Sequence, residues 1–282
     1  MKLNPAARST LLALLAPSLL GSAFALGACG GSVAESPQAA SSAATKGPVA
    51  QNTHGHVKMM GEALSQVALT PDQRSEIEKL AADADARHQA GAEAHKALAL
   101  AVADQIEKGA IDRAALQPKV DAVALAFEQA RPLDRAALER LHALLDTNQR
   151  ALFVDTLEMN MHGMHGKKDG HAGHARMEEW AAELKLTDAQ QQQIARIVKD
   201  RMEEHKGDWK QGFQKGKAML ESFKSDPFVL DEVAPPVDAK ANEMTDHVLG
   251  FIEQVLPILT PEQRGLAATK VRAHATEPAE MP

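Results

Sequence analysis

The chain has 282 residues, a formal net charge of −7, an apolar content of 44%, only 3% aromatics, no tyrosine and one cysteine. Most of the apolar content is alanine and leucine, which suits helices packed through small side chains and argues against a sheet protein. An acidic chain without a basic tail excludes nucleic acid as a partner, and a lone cysteine excludes an intramolecular disulfide.

The first 28 residues read as a secretory signal. Lys2 and Arg8 precede an apolar run from Leu11 to Leu26, and Pro17 and Gly21 argue against a lasting membrane span. Leu26-Gly27-Ala28-Cys29 resembles the bacterial lipoprotein box, which implies lipidation at Cys29. Gly30 after the cysteine, where aspartate would retain a lipoprotein at the inner membrane, favours the periplasmic face of the outer membrane. Cleavage removes two cations and no acid, so the mature charge becomes −9. Residues 29–53 are rich in Ser, Ala, Gly and Pro and read as a lipid-anchored flexible tether.

A first helical unit is expected over residues 54–158. After a short amphipathic helix over Val57–Val67, Leu69-Thr70-Pro71-Asp72-Gln73 combines an N-cap, a proline at the first helical position and a capping box. The helix it starts runs to about Lys108, with Ile77, Leu80, Ala84, His88, His95, Leu98, Val102 and Ile106 on one stripe, and Gly109 ends it. At roughly 50 Å it must lie along a partner. Asp112 caps the next helix, in which Pro132 predicts a kink or a break. Leu145, Asp146 and Gln149 then repeat the capping signal before a last helix through Leu157.

Residues 159–176 carry histidine, methionine and four glycines and read as a polar connector. The plan then returns over residues 177–275. Leu186, Thr187 and Gln190 start a long helix whose stripe is Ile194, Ile197, Val198, Met202, His205, Trp209, Phe213, Met219 and Phe223. Leu259, Thr260 and Gln263 start the last helix, and residues 276–282 form a loose tail. An offset of 117 carries Gln73 to Gln190, Ile77 to Ile194, Leu80 to Ile197, His88 to His205, Val102 to Met219 and Ile106 to Phe223. Gln149 maps to Gln263 with an offset of 114. Such self-similarity predicts a tandem duplication.

Two LTxxQ boxes about 75 residues apart in an all-helical secreted unit resemble the Spy/CpxP family of periplasmic stress proteins, whose metal-binding relatives include ZraP and CnrX. The second half matches more closely, through LTDAQQQQI, KSDPF and ILTPEQR, while the first half degenerates to LDTNQ in its second box. The resemblance implies an all-α fold of two helical hairpin units, about four helices each, packed as an intrachain pseudo-dimer. It further implies an ATP-independent holdase of the envelope stress response that cradles unfolded or partly folded envelope proteins, or a regulator that damps a membrane sensor. The membrane is then met through the lipid anchor only. Because family cradles present a basic surface, Lys199, Arg201, Lys206, Lys210, Lys215 and Lys217 are the candidate client contacts. Over residues 196–224 eight Lys or Arg face five acids, whereas residues 72–108 reverse that ratio.

A rival expectation is metal binding. His54, His56, Met59 and Met60 precede the first unit, and His171, His174 and Met177 precede the second. Met161, His162, Met164 and His165 add a mixed set between them. Thioether with imidazole suits Cu, and imidazole also takes Zn or Ni, although no closed zinc spacing is present. No cofactor is required by any motif. His88 and His205 read as core histidines that could meet across a two-fold axis and respond to pH. Trp209, Phe213, Met219 and Phe223 read as core packing, and Met244 with His247 as a weaker metal candidate. No triad order, phosphate loop or HExxH is present, so enzymatic activity is not expected.

Overall fold

The computed structural model describes residues 43–166, 178–228, 230 and 241–276. Cys29, the signal segment and the tail from residue 277 lie outside the described residues. Those that are described form helices, with one isolated antiparallel bridge between Thr45 and Leu69. In chain order the helices are α1 (Gly55–Leu64), α2 (Pro71–Lys108), α3 (Arg113–Leu144) and α4 (Thr147–Gly166). There follow a short helix α5 over residues 178–183, then α6 (Asp188–Glu204), α7 (Lys206–Phe223), α8 (Ala241–Val255), a 3₁₀ turn (Leu256–Ile258) and α9 (Pro261–Thr276).

Local chemistry sets the boundaries of α2. Thr70 accepts from the Gln73 amide, Pro71 fills the first turn, and Gly109 closes the helix in the left-handed region at φ 86°. Asp112 then caps α3 through the Ala115 amide, and the two helices pack side by side. With 38 residues, α2 is about 57 Å long, and its large apolar residues fall towards its two ends. Ile77 near the start and Leu98, Val102 and Ile106 near the finish are buried, while the middle is half-buried or exposed apart from Gly91.

Two separate cores result. One gathers Leu64, Val67, Leu69, Ile77, Leu141, Phe153 and Val154 with Phe223 at the end of α7. The other joins Leu98, Val102, Ile106, Leu116 and Val120 from the α2–α3 tip to Ile194, Val198, Phe251, Leu256 and Ala268. Each core therefore draws on both halves of the chain. Positions 117 apart share a burial class in most of the aligned cases: Ile77 and Ile194 are buried, as are Ile106 and Phe223, and Leu80 and Ile197 are half-buried.

Several expectations change. Residues 45–53 are not free tether, since Val49 and Ala50 are each only 2% exposed and sit in the first core. Arg74 donates to the carbonyls of Thr45, Gly47 and Pro48, Glu78 accepts from the Ala50 amide, and Ser65 Oγ accepts from the Val49 amide. Gly61 admits this segment because a Cβ there would lie 2.7 Å from both Ala50 Cβ and the Val49 carbonyl. The docked segment supplies apolar atoms where α1 alone is too short to close the core.

Helix α3 continues through Pro132 without a break. That proline lies on the exposed side, where solvent can satisfy the carbonyl its missing N–H leaves free. Helix α4 extends to Gly166, so the first part of the expected connector is helical despite its glycines. The long helix of the second half is instead interrupted at His205, whose φ of −99° and ψ of 6° end α6 and begin α7. Gly207, Gly212 and Gly216 in α7 weaken the helical preference that carries α2 through the equivalent point.

Candidate functional site

The four capping boxes come together in two pairs. Gln73 Nε2 donates to the Leu144 carbonyl at 2.6 Å and to Gln149 Oε1 at 2.8 Å. Gln149 Nε2 answers by donating to the Ala68 carbonyl at 2.7 Å and to Gln73 Oε1 at 3.0 Å. In the second half Gln190 Nε2 reaches Ile258 O and Gln263 Oε1, both at 2.7 Å, and Gln263 Nε2 reaches Lys185 O and Gln190 Oε1, both at 3.0 Å. Each Oε1 also accepts from its own cap amide, at 3.0 Å for Thr70 and 2.9 Å for Asp146, Thr187 and Thr260. Glutamine is thus used on both ends of its amide. Glutamate would serve a capping box equally well, but an ionised carboxylate cannot donate to the opposite loop. The boxes are clasps that tie two helix starts to each other as well as caps.

Arginines that follow the glutamines extend these clasps between the halves. Arg150, 5% exposed, reaches across to Asp226 at the end of α7, with Nη1 to Oδ1 at 2.9 Å and Nη2 paired to Oδ2. Arg264 lies against Gly109 at the α2–α3 tip. The offset of 117 relates Gly109 to Asp226, so the two arginines touch equivalent turns. Sequence reasoning missed both roles. The available signal was that Arg follows the motif glutamine at 74, 150 and 264.

His142 completes the Arg150 link. It is buried, stacks on Phe228 with ring centroids 4.8 Å apart, and meets Phe223 edge-on. With its proton on Nε2 it donates to the Ser225 carbonyl at 3.0 Å, leaving Nδ1 to accept from Arg150 at 3.2 Å. Burial lowers its pKa below the ordinary 6.5, the Ser225 carbonyl opposes this, and the Arg150 charge adds to the lowering. Burial likewise lowers His56 and His95. Protons bind these groups more weakly in the folded chain, so stability is full above about pH 6.5 and falls as pH drops through the lowered values. A melting series from pH 7.5 to 5 should show that loss, and His142→Gln should flatten it without abolishing it.

His88 and His205 do not meet each other. His88 Nε2 lies 3.0 Å from Asp134 Oδ2 and its ring is edge-on to His56 at 4.5 Å. Burial would raise the Asp134 carboxyl, but hydrogen bonds from His88 and Arg87 outweigh it and hold the group below the usual carboxylate range. His205 pairs with His247 at 3.9 Å between ring centroids, next to Glu204 and Asp208. Each histidine is thus partnered within its own half.

The proposed metal ligands with described side chains, His54, His56, Met59 and Met60, each make other contacts. His54 Nδ1 is 3.2 Å from both Asp85 oxygens, His56 turns to His88, and Met59 and Met60 pack on the first core. Met161, His162, Met164 and His165 fall on the final turns of α4, and His171, His174 and Met177 lie outside the described residues. Among the described residues no group of three or more His, Cys, Asp or Glu is arranged to hold a metal ion.

Of the six expected client contacts, Arg201 is excluded from the surface. It is buried at 9% exposure, and Nη2 donates to the His247 carbonyl of α8 at 2.8 Å. Lys199, Lys206, Lys210, Lys215 and Lys217 are exposed. From Lys206 to Ala218 every residue with a described side chain is exposed, Phe213 at 65%. That departs from the expected core role of Phe213, while Phe223 is buried as expected and Met219 is half-buried. The side chain of Trp209 lies outside the described residues. Lys206, Lys210, Phe213 and Lys217 follow steps of four, three and four and so share one face of α7. Lys206 pairs with Glu203 at 3.6 Å, whereas Lys210, Lys215 and Lys217 have no ion pair among the described residues. Among the described residues, this stretch of α7 sets an exposed aromatic ring among cations.

Among the described residues no helix is long and apolar enough to cross a membrane. No curated protein and no solved structure matches the chain. Residues 172–270 match the family model described as LTXXQ motif family protein, a span that contains the clasped boxes at Gln190 and Gln263.

Proposed function

We propose that this chain is an ATP-independent holdase lipoprotein of the bacterial envelope, built as two tandem hairpin units that pack into an intrachain pseudo-dimer. The family matched by the second half is of the Spy/CpxP type, and its proteins are generally periplasmic. The two cores shared between halves, and the equivalent reach of Arg150 and Arg264, support the pseudo-dimer. The observation that carries the function is the exposed stretch of α7. There α7 presents lysines without an ion pair among the described residues and an exposed phenylalanine, which suits transient contact with acidic and apolar segments of a partly folded chain.

The test is light scattering from a chemically unfolded client diluted into the protein. Suppression is expected, and it should be unchanged by chelator or by added Cu or Zn. Lys210→Glu, Lys215→Glu and Lys217→Glu together should weaken client affinity roughly tenfold, at about 0.5 kcal/mol for each exposed ion pair lost. Circular dichroism should be unchanged, because none of the three packs on a core. Absence of suppression by the unaltered chain would sink the holdase reading, and dependence on metal would return the histidine and methionine clusters to the centre.

A further inference from the structure

The outer face of α3 is apolar where a solvated helix should be charged. Its inner face, through Leu116, Val120 and Val123, is buried in the second core. On the opposite side Ala122, Leu125, Gln129, Leu133 and Ala136 are all exposed, the two leucines at 53% and 54%. These five residues follow steps of three, four, four and three, one continuous stripe of the helix. No charge falls among them. Single exposed leucines are ordinary on any protein, but this stripe has a further property. It reads the same in both directions from Gln129, with leucine four residues to either side and alanine seven.

A stripe that is its own mirror along the axis fits a second copy of itself run antiparallel about a two-fold axis, the self-complementary contact that closed dimers use. We propose that α3 is a dimerisation surface, with Gln129 at the two-fold axis, Leu125 against Leu133 of the second copy and Ala122 against its Ala136. The small alanines let the helix ends approach, and the leucines fill the space between. Gln129 meets its own copy amide to amide, a pairing this chain already uses between Gln73 and Gln149. At each end Arg140, exposed and only loosely paired with Glu76 at 3.7 Å, comes within about one turn of Asp121 of the second copy. Glu128 borders the axis on one flank, and a two-fold brings it beside its own copy, so this contact opposes the association. The dimer is accordingly weak and reversible.

The register makes the test specific. In the full chain carrying Cys29→Ala, which has no other cysteine, Gln129→Cys places two thiols at the axis, within the separation a disulfide can span. A single Ala136→Cys leaves its two thiols about 20 Å apart. Mild oxidation should yield a covalent dimer of the first variant and not of the second, while Ala122→Cys with Ala136→Cys should link again. Glu128→Gln should raise the dimer fraction in sedimentation, a gain that a misfolded variant would not produce. No linkage at 129, or equal linkage at 136, overturns the proposal. So does a chain that stays monomeric at every concentration yet loses client holding on Leu125→Ser with Leu133→Ser, since the stripe would then belong to clients.

Discussion

Gln263→Glu should destabilise the chain by about 3 kcal/mol, measured by urea denaturation, while Thr260→Ala costs about 1 kcal/mol. The contrast separates two roles for the same motif. If Gln263 only completed a capping box, glutamate would be neutral or better, because it suits the third helical position and the positive helix terminus. The structure gives the amide nitrogen two further acceptors, Lys185 O and Gln190 Oε1. A carboxylate puts an oxygen where the amide nitrogen stood, facing both of those acceptor oxygens, in a site where Gln263 is 7% exposed. Equal small effects from the two substitutions would reduce the motif to a helix cap. The paired change of Gln190→Leu with Gln263→Leu should be less harmful than the sum of the single changes, because neither side chain is left facing an unmatched polar partner.

Gly109→Val should cost about 2–4 kcal/mol, summing a left-handed backbone position with a displaced arginine. At φ 86° any side chain is strained, and a Cβ at this point runs into the Arg264 guanidinium. The consequence reaches beyond the turn. The α2–α3 tip belongs to the second core through Ile106 and Leu116, so pushing Arg264 away loosens the attachment of the first half to the second. Limited proteolysis should then cut near residues 109–112 faster in the variant than in the parent chain. An unchanged cleavage rate with a lowered melting temperature would mean that strain alone, and not the contact between halves, accounts for the loss.

Much of the frame was legible in the residues. Capping chemistry acts over three or four positions, so Thr70 with Gln73, Thr187 with Gln190 and the left-handed Gly109 could be placed without knowledge of anything distant. The stripe periodicity likewise anticipated burial at Ile77, Val102, Ile106, Ile194 and Phe223. Sequence spacing was a poor guide wherever a partner decided the outcome. Phe213 sits on the same stripe as Phe223, yet only Phe223 finds a core to enter, because α7 reaches the first core at its end and stands clear of it elsewhere. Arg201 looks like a surface cation until α8 arrives to accept its hydrogen bond. Val49 and Ala50 belong to a composition typical of a tether, and they are ordered by Arg74, Glu78 and the open space beside Gly61.

What the amino-acid order determined by itself, then, is where the capped helices start and the recurrence of four boxes, all products of short-range hydrogen bonding and helical periodicity. Tertiary structure alone decided that the boxes clasp in pairs, that Arg150 and Arg264 reach the opposite half, and that each core is shared. Those outcomes depend on groups more than 70 positions apart meeting at hydrogen-bond distance. No local pattern encodes such a meeting, because burial is shared between surfaces that only the folded chain brings face to face.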